Sequence, residues 1–206
     1  MKNIDLSLYL VTDKSDDVEK FLKTIEEAIK GGVTVVQIRE KTAETLDFYN
    51  LALKVKEITT KYNVPLIIND RVDVALAIDA DGVHVGQSDM PCDVTRKLIG
   101  NDKILGVSAA TIPEAKKAQE DGADYIGTGA VFPTATKDDA PKITKKDLKE
   151  IANSIDIPVV AIGGINLNNV NELKDTDIAG ISVVSAIMSS DNPKKSSEEL
   201  LKIFNQ

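Results

Sequence analysis

The segment Gln37-Ile38-Arg39-Glu40-Lys41 sets an amide and two cations at alternate positions, following the apolar run Val33–Ile38. Strand side chains alternate with a period of two, so Gln37, Arg39 and Lys41 share a face with Val35, while Val36 and Ile38 point the other way. A donor amide and two cations on one face suit a phosphate or diphosphate; a solvated strand end is the plainer alternative. Asn69-Asp70 and Gly86-Gln87-Ser88-Asp89 each follow a further apolar run. The carboxylates of Asp70 and Asp89 suit Mg²⁺, which commonly takes one or two carboxylates and completes its shell with water and phosphate oxygens. Asp70 also stands directly before a helical stretch, where N-capping is the competing role. Asp73, Asp79 and Asp81 lie within or after that stretch and are weaker candidates.

Ser108 ends another apolar run and offers its hydroxyl either to a ligand or to the next turn. The stretch Gly127-Thr-Gly-Ala-Val-Phe-Pro-Thr134-Ala-Thr136-Lys137 joins two hydroxyls and a cation to flexible glycines, a composition that suits an anion-binding loop. Gly163-Gly164 and Val184-Ser185 follow two more runs. Glycine lets backbone N–H groups approach a phosphate closely, although Gly164 is equally readable as a turn residue. His84, the only histidine, falls in mid-strand. A packed, hydrogen-bonded role is commoner there than a catalytic one. No nucleophile triad or activated cysteine is legible.

The elements that must carry these residues alternate strictly. Strands are expected at Leu6–Thr12, Val33–Ile38, Pro65–Ile68, Gly82–Val85, Lys103–Val107, Tyr125–Gly127, Pro158–Ile162 and Gly180–Val184. Helical periodicity fills the gaps at Asp16–Lys30, from Ala43, and at Arg71–Ile78, Cys92–Ile99, Thr111–Asp121, Lys145–Ser154, Asn168–Lys174 and Pro193–Phe204. Thr111-Ile-Pro-Glu114 reads as a capping box, and Asn192-Pro193 as a cap before a helix-initiating proline. Eight β-then-α units predict a parallel sheet closed into an α/β (β/α)₈ TIM barrel, with an open doubly wound sheet as runner-up. No linker divides the chain, so residues 1–206 are expected to form a single barrel domain. In such a barrel the chemistry collects at the C-terminal ends of the strands, and nearly every candidate above lies there.

Composition narrows the partners. The 206 residues carry a formal net charge of -8, which disfavours nucleic acid and anionic membranes. Cys92 is the only cysteine, so an intrachain disulfide is excluded and a reducing cytoplasm is expected. No signal peptide is evident, and no apolar run approaches the roughly 20 residues of a membrane span. Small phosphorylated molecules are the expected ligands, with the oligomeric state left open.

Taken together, the motifs resemble the thiamine phosphate synthase family over almost the whole chain. The matching stretches are Leu8-Tyr-Leu-Val-Thr-Asp13, Gln37-Ile-Arg-Glu-Lys41, Ile67-Ile-Asn-Asp-Arg-Val-Asp73, Asp81-Gly-Val-His-Val-Gly-Gln87 with Asp89, Phe132-Pro-Thr-Ala-Thr-Lys137 and Val160-Ala-Ile-Gly-Gly-Ile165. The resemblance implies a transferase of thiamine biosynthesis. It would join hydroxymethylpyrimidine diphosphate to a thiazole phosphate or carboxythiazole phosphate, by dissociative loss of diphosphate. It implies that Gln37, Arg39, Lys41, Asn69, Ser108 and Lys137 bind the pyrimidine diphosphate, with Arg39, Lys41 and Lys137 acting catalytically on the leaving group. Asp70 and Asp89 would hold one Mg²⁺ per subunit, and Thr134 through Thr136, Gly164, Val184 and Ser185 would bind the thiazole phosphate. With the metal counted, these cations outweigh the two carboxylates by about three charges, which matches a diphosphate better than a single phosphate ester. Ala130 and Ala135 stand where the family commonly has proline, which predicts a looser loop around Lys137. A thiazole tautomerase and a non-catalytic phosphate-binding regulator are the alternatives. Neither needs the full set Arg39, Asp70, Asp89 and Lys137, all of which are present.

Overall fold

The computed structural model describes residues 4–134 and 141–205. Eight parallel strands pair in chain order: β1 (Leu8–Val11), β2 (Val35–Ile38), β3 (Leu66–Asn69), β4 (Gly82–Val85), β5 (Ile104–Ser108), β6 (Tyr125–Thr128), β7 (Val159–Ile162) and β8 (Gly180–Val183). Strand β8 pairs back onto β1, Leu8 opposite Ile181 and Leu10 opposite Val183, so the sheet is a closed (β/α)₈ barrel. That closure excludes the open doubly wound alternative.

Period-two alternation on these short strands separates two apolar cores. Tyr9, Val11, Val35, Ile67, Ile104, Tyr125 and Val160 cluster inside the barrel. Leu8, Leu10, Val36, Ile38, Ile68, Val83, Leu105 and Ile126 belong to the outer core beneath the helices. Both faces of each strand are therefore covered, as parallel sheets require.

The outer layer comprises α1 (Val18–Lys30), α2 (Thr45–Lys61), α3 (Val72–Ala77), α4 (Cys92–Ile99), α5 (Ile112–Glu120), α6 (Lys145–Ala152), α7 (Ser185–Met188) and α8 (Pro193–Phe204). The anticipated caps are present. Thr111 and Glu114 close a reciprocal capping box, and the Asn192 side chain accepts from Lys195 N–H at 3.0 Å. Two elements differ from the sequence reading. The seventh connection is a 3₁₀ helix, Val170–Thr176, kinked at Asp175, and a single-turn helix, α7, follows β8. Among the described residues, no helix is long and apolar enough to cross a membrane.

One side chain ties α4 to the loops beside β5 and β6. The Arg96 guanidinium donates to the carbonyls of Gly100 (2.7 Å), Lys103 (2.8 Å) and Gly122 (2.8 Å) and to Asp124 Oδ2 (2.7 Å). Asp124 Oδ2 in turn accepts from Leu105 N–H at 2.8 Å. Arg96 and Asp124 side chains are only 14% and 16% exposed, so the ion pair is largely buried and breaking it is costly. Arg96→Ala is expected to cost about 3 kcal/mol. In a chain of this length that lowers Tm by roughly 6–12 °C. Calorimetry checks it, and an unchanged Tm contradicts the staple.

Candidate active site

The polar groups gather at the C-terminal ends of the strands. On β2 the alternation holds as expected: Gln37 is buried and turned inward, while Val36 and Ile38 pack outward. The Gln37 Nε2 donates to the Tyr9 hydroxyl at 2.7 Å. Beyond the strand, the Arg39 backbone N–H donates to the buried Thr12 Oγ1 at 3.2 Å. Arg39 has no ion-pair partner among the described residues. Lys41 lies outside the strand, yet its Nζ reaches across to donate to Asp70 Oδ2, forming an ion pair between the ends of β2 and β3.

Asp70 does not cap the following helix. Its backbone occupies the left-handed region (φ 61), and its side chain turns toward Lys41 and Asp89. A non-glycine residue at positive φ is uncommon, Asp and Asn being the best tolerated, and such positions cluster at functional sites. Asp89 is aimed by its own loop, its Oδ2 accepting from Gly86 N–H at 2.8 Å. A Cβ at Gly86 would lie 2.9 Å from that same oxygen, so glycine leaves the carboxylate its place.

Burial and the neighbouring Asp89 carboxylate together raise the Asp70 carboxyl above its ordinary range, with burial the larger cause and Lys41 pulling the other way. Two carboxylates held close against that cost form a site that a divalent cation relieves. The donor chemistry of the pair fits magnesium, a hard cation that takes carboxylate oxygens.

Asn69 is buried at the end of β3, in register with His84 on β4. His84 is the packed, hydrogen-bonded residue that its mid-strand position predicts. Its Nδ1 meets the Tyr125 hydroxyl and its Nε2 meets Ser108 Oγ, both at 2.9 Å. Ser108, half-buried, serves this contact rather than the following turn. The sequence reading assigned Tyr9, Tyr125 and Thr12 no role in the site. For Tyr9 and Tyr125 the available signal was an inward position on a barrel strand; Thr12 lies just past the end of β1 and carried no such signal.

The other half of the rim is built by the loops after β6, β7 and β8. Val131 N–H donates to Ile162 O (3.1 Å) and Phe132 N–H to Gly163 O (3.1 Å), laying the β6 loop along the end of β7. Gly163 and Gly164 both have positive φ (103 and 65). A Cβ on Gly164 would meet Pro133 O at 2.4 Å, so its glycine character is accounted for by loop packing as well as by turn conformation. Ala130 is pinned from both sides, its N–H donating to Pro141 O (2.6 Å) and its carbonyl accepting from Ile143 N–H (2.9 Å). This anchors the flank that the missing proline was expected to loosen. Thr134 lies half-buried at the end of this stretch; Ala135, Thr136 and Lys137 lie outside the described residues. Val184, half-buried, and Ser185, exposed, open α7.

Cys92 offers no nucleophile. Its thiol is pushed up to about 11, chiefly by burial, with Asp121 adding to the shift, and Sγ faces the Ala118 carbonyl at 3.6 Å. The thiolate is the reactive form, so iodoacetamide at neutral pH should label the folded protein far more slowly than the unfolded chain. Mass spectrometry of labelled Cys92 measures the ratio; equal rates contradict the assignment.

A family profile described as thiamine monophosphate synthase matches residues 8–187. The chain is 72% identical over 204 residues to the thiamine-phosphate synthase of Methanobrevibacter smithii, covering 99% of this chain and 98% of that one. It is 56% identical over 208 residues to the thiamine-phosphate synthase of Clostridium tetani, covering 100% and 99%. Among solved structures, thiamine phosphate pyrophosphorylase from Pyrococcus furiosus superposes with a TM-score of 0.88 at 42% identity, over 98% of this chain and 96% of that one. The 3-hexulose-6-phosphate synthase of Salmonella typhimurium shares the fold alone, with a TM-score of 0.73 at 16% identity. With its closed barrel, its rim of carboxylates and cations and this degree of likeness, the chain belongs to the thiamine monophosphate synthase family.

Proposed function

We propose that the chain, acting over residues 1–206 as one catalytic barrel in the cytoplasm, condenses 4-amino-2-methyl-5-hydroxymethylpyrimidine diphosphate with a thiazole phosphate to give thiamine phosphate and diphosphate. The observation that carries this reading is the Asp70–Asp89 carboxylate pair, met by Lys41 beside the end of β2, which carries Gln37 and is followed by Arg39. Such a cluster is suited to a polyanion accompanied by its counter-cation.

The bond from the pyrimidine methylene carbon to the diphosphate oxygen breaks first, and its electron pair leaves with diphosphate. The thiazole nitrogen lone pair then forms the new C–N bond to the methylene cation. When the thiazole carries a carboxylate, carbon dioxide is lost as well. Arg39, Lys41 and Lys137 hold the departing diphosphate and meet the negative charge that grows on it. Asp70 and Asp89 would hold one Mg²⁺, which when bound supplies further charge neutralisation on the diphosphate oxygens. Gln37, Asn69 and Ser108 orient the pyrimidine. Thr134, Thr136, Gly164, Val184 and Ser185 seat the thiazole phosphate, so the second substrate is already placed when the cation forms. No protein nucleophile is needed.

Incubating the purified protein with both substrates and Mg²⁺ tests this reading. Thiamine phosphate and diphosphate should appear in equal amounts. Conversion of a carboxythiazole phosphate alone to its tautomer, with no condensation, would support the tautomerase instead.

A further inference from the structure

Five polar side chains from five strands form one unbroken hydrogen-bond chain across the barrel interior. Gln37 Nε2 (β2) donates to the Tyr9 hydroxyl (β1) at 2.7 Å, and Tyr9 meets the Tyr125 hydroxyl (β6) at 2.7 Å. Tyr125 meets His84 Nδ1 (β4) at 2.9 Å, and His84 Nε2 meets Ser108 Oγ (β5) at 2.9 Å. The first four side chains are all more than nine-tenths buried. The strands leave deliberate room for them. A Cβ at Gly106 would lie 2.1 Å from Tyr125 Cζ and 2.5 Å from His84 Nδ1, and one at Gly127 would lie 3.1 Å from His84 Cε1.

The sense of every bond follows from its first link. An amide nitrogen only donates, so the Tyr9 oxygen accepts from Gln37, and its single hydrogen must go to Tyr125. The Tyr125 hydrogen is then directed to His84 Nδ1, the hydrogen of His84 resides on Nε2, and Ser108 Oγ accepts it. With Gln37 presenting its amide nitrogen to Tyr9, the opposite sense would leave the buried Tyr9 hydroxyl hydrogen with no acceptor, a cost of about 1–3 kcal/mol. Burial raises both phenols above their ordinary range, so each keeps its hydrogen. Having accepted from His84, Ser108 retains its own hydroxyl hydrogen for the barrel mouth.

We propose that His84 and Tyr125 are positioning residues: through this chain they fix Ser108 as a hydrogen-bond donor toward the ligand, and thereby select a substrate that presents a lone-pair nitrogen or oxygen there. This deepens the proposed function and rests on it for the ligand, because a pyrimidine ring nitrogen is such an acceptor. The sense of the chain itself does not depend on that reading.

Because His84 is the only histidine, ¹⁵N NMR of histidine-labelled protein reports its tautomer directly. The wild-type protein should show hydrogen on Nε2 and a bare Nδ1; hydrogen on Nδ1 overturns the proposal whatever the substrate proves to be. Tyr125→Phe keeps the ring and removes the hydroxyl. It should yield mixed tautomers and raise KM for the pyrimidine diphosphate about tenfold, with kcat and the KM for the thiazole phosphate retained. An unchanged tautomer, or equal changes in both KM values, overturns the positioning role. Tyr9→Phe breaks the same chain one link earlier and serves if Tyr125→Phe does not fold. If no condensation occurs in any variant, the function is refuted while the NMR result still decides the chain.

Discussion

Asp70→Asn and Asp89→Asn should each lower turnover by about 10²–10³-fold, the loss typical when one preorganised group opposite developing charge is removed. The isosteric amide separates charge from shape. Asn tolerates the left-handed backbone that residue 70 adopts, whereas Ala would add strain to the lost charge. The two effects also have opposite signs on stability. Burial and Asp89 raise the Asp70 carboxyl, and an acid whose pKa is raised on folding is less stable ionised in the folded state than in the unfolded one. At neutral pH, therefore, Asp70→Asn should hold or raise Tm while abolishing most activity, the pattern of a site that gives up stability for function. Steady-state rates across a Mg²⁺ titration, paired with thermal melts, check both halves. Full turnover in either variant removes that carboxylate from the site.

Lys137→Ala should reduce kcat by a similar factor of about 10²–10³, with a much smaller effect on KM. The charge it supplies acts on a leaving group whose negative charge grows as the C–O bond breaks, so the interaction strengthens in the transition state and its loss falls on kcat. The residue itself lies outside the described residues, but the chain on either side is anchored by Phe132 on Gly163 and by Ala130 on Pro141 and Ile143. The fold should therefore survive the substitution, with an unchanged circular dichroism spectrum. A large rise in KM with kcat intact would make Lys137 a docking residue only.

The barrel was legible because its strands are short, buried on both faces and rich in Val and Ile, with polar residues concentrated at one end. Runs such as Val33–Ile38 and Gly82–Val85 admit little else between helices of period 3.6. The caps at Thr111 and Asn192 were equally plain, since capping is local chemistry. What escaped the sequence was either too short or too non-local. One turn of helix, Ser185–Met188, carries no periodicity to detect. Val170, Leu173 and Thr176 are buried at a spacing of three, which suits the 3₁₀ helix found there. Asp70 reads as an N-cap by position, and only the fold brings Lys41 and Asp89 to it. The chain from Gln37 to Ser108 joins residues up to 116 positions apart, and it exists only once β1, β4 and β6 face one another across the closed barrel.

A crystal structure of the protein with Mg²⁺ and diphosphate would probe the central claim most directly, because it asks whether the rim is built for that leaving group. The metal should touch both Asp70 and Asp89, with diphosphate on its far side within reach of Arg39, Lys41 and Lys137. Diphosphate bound at the β7–β8 loops instead, or a metal ligated by neither aspartate, would contradict the account.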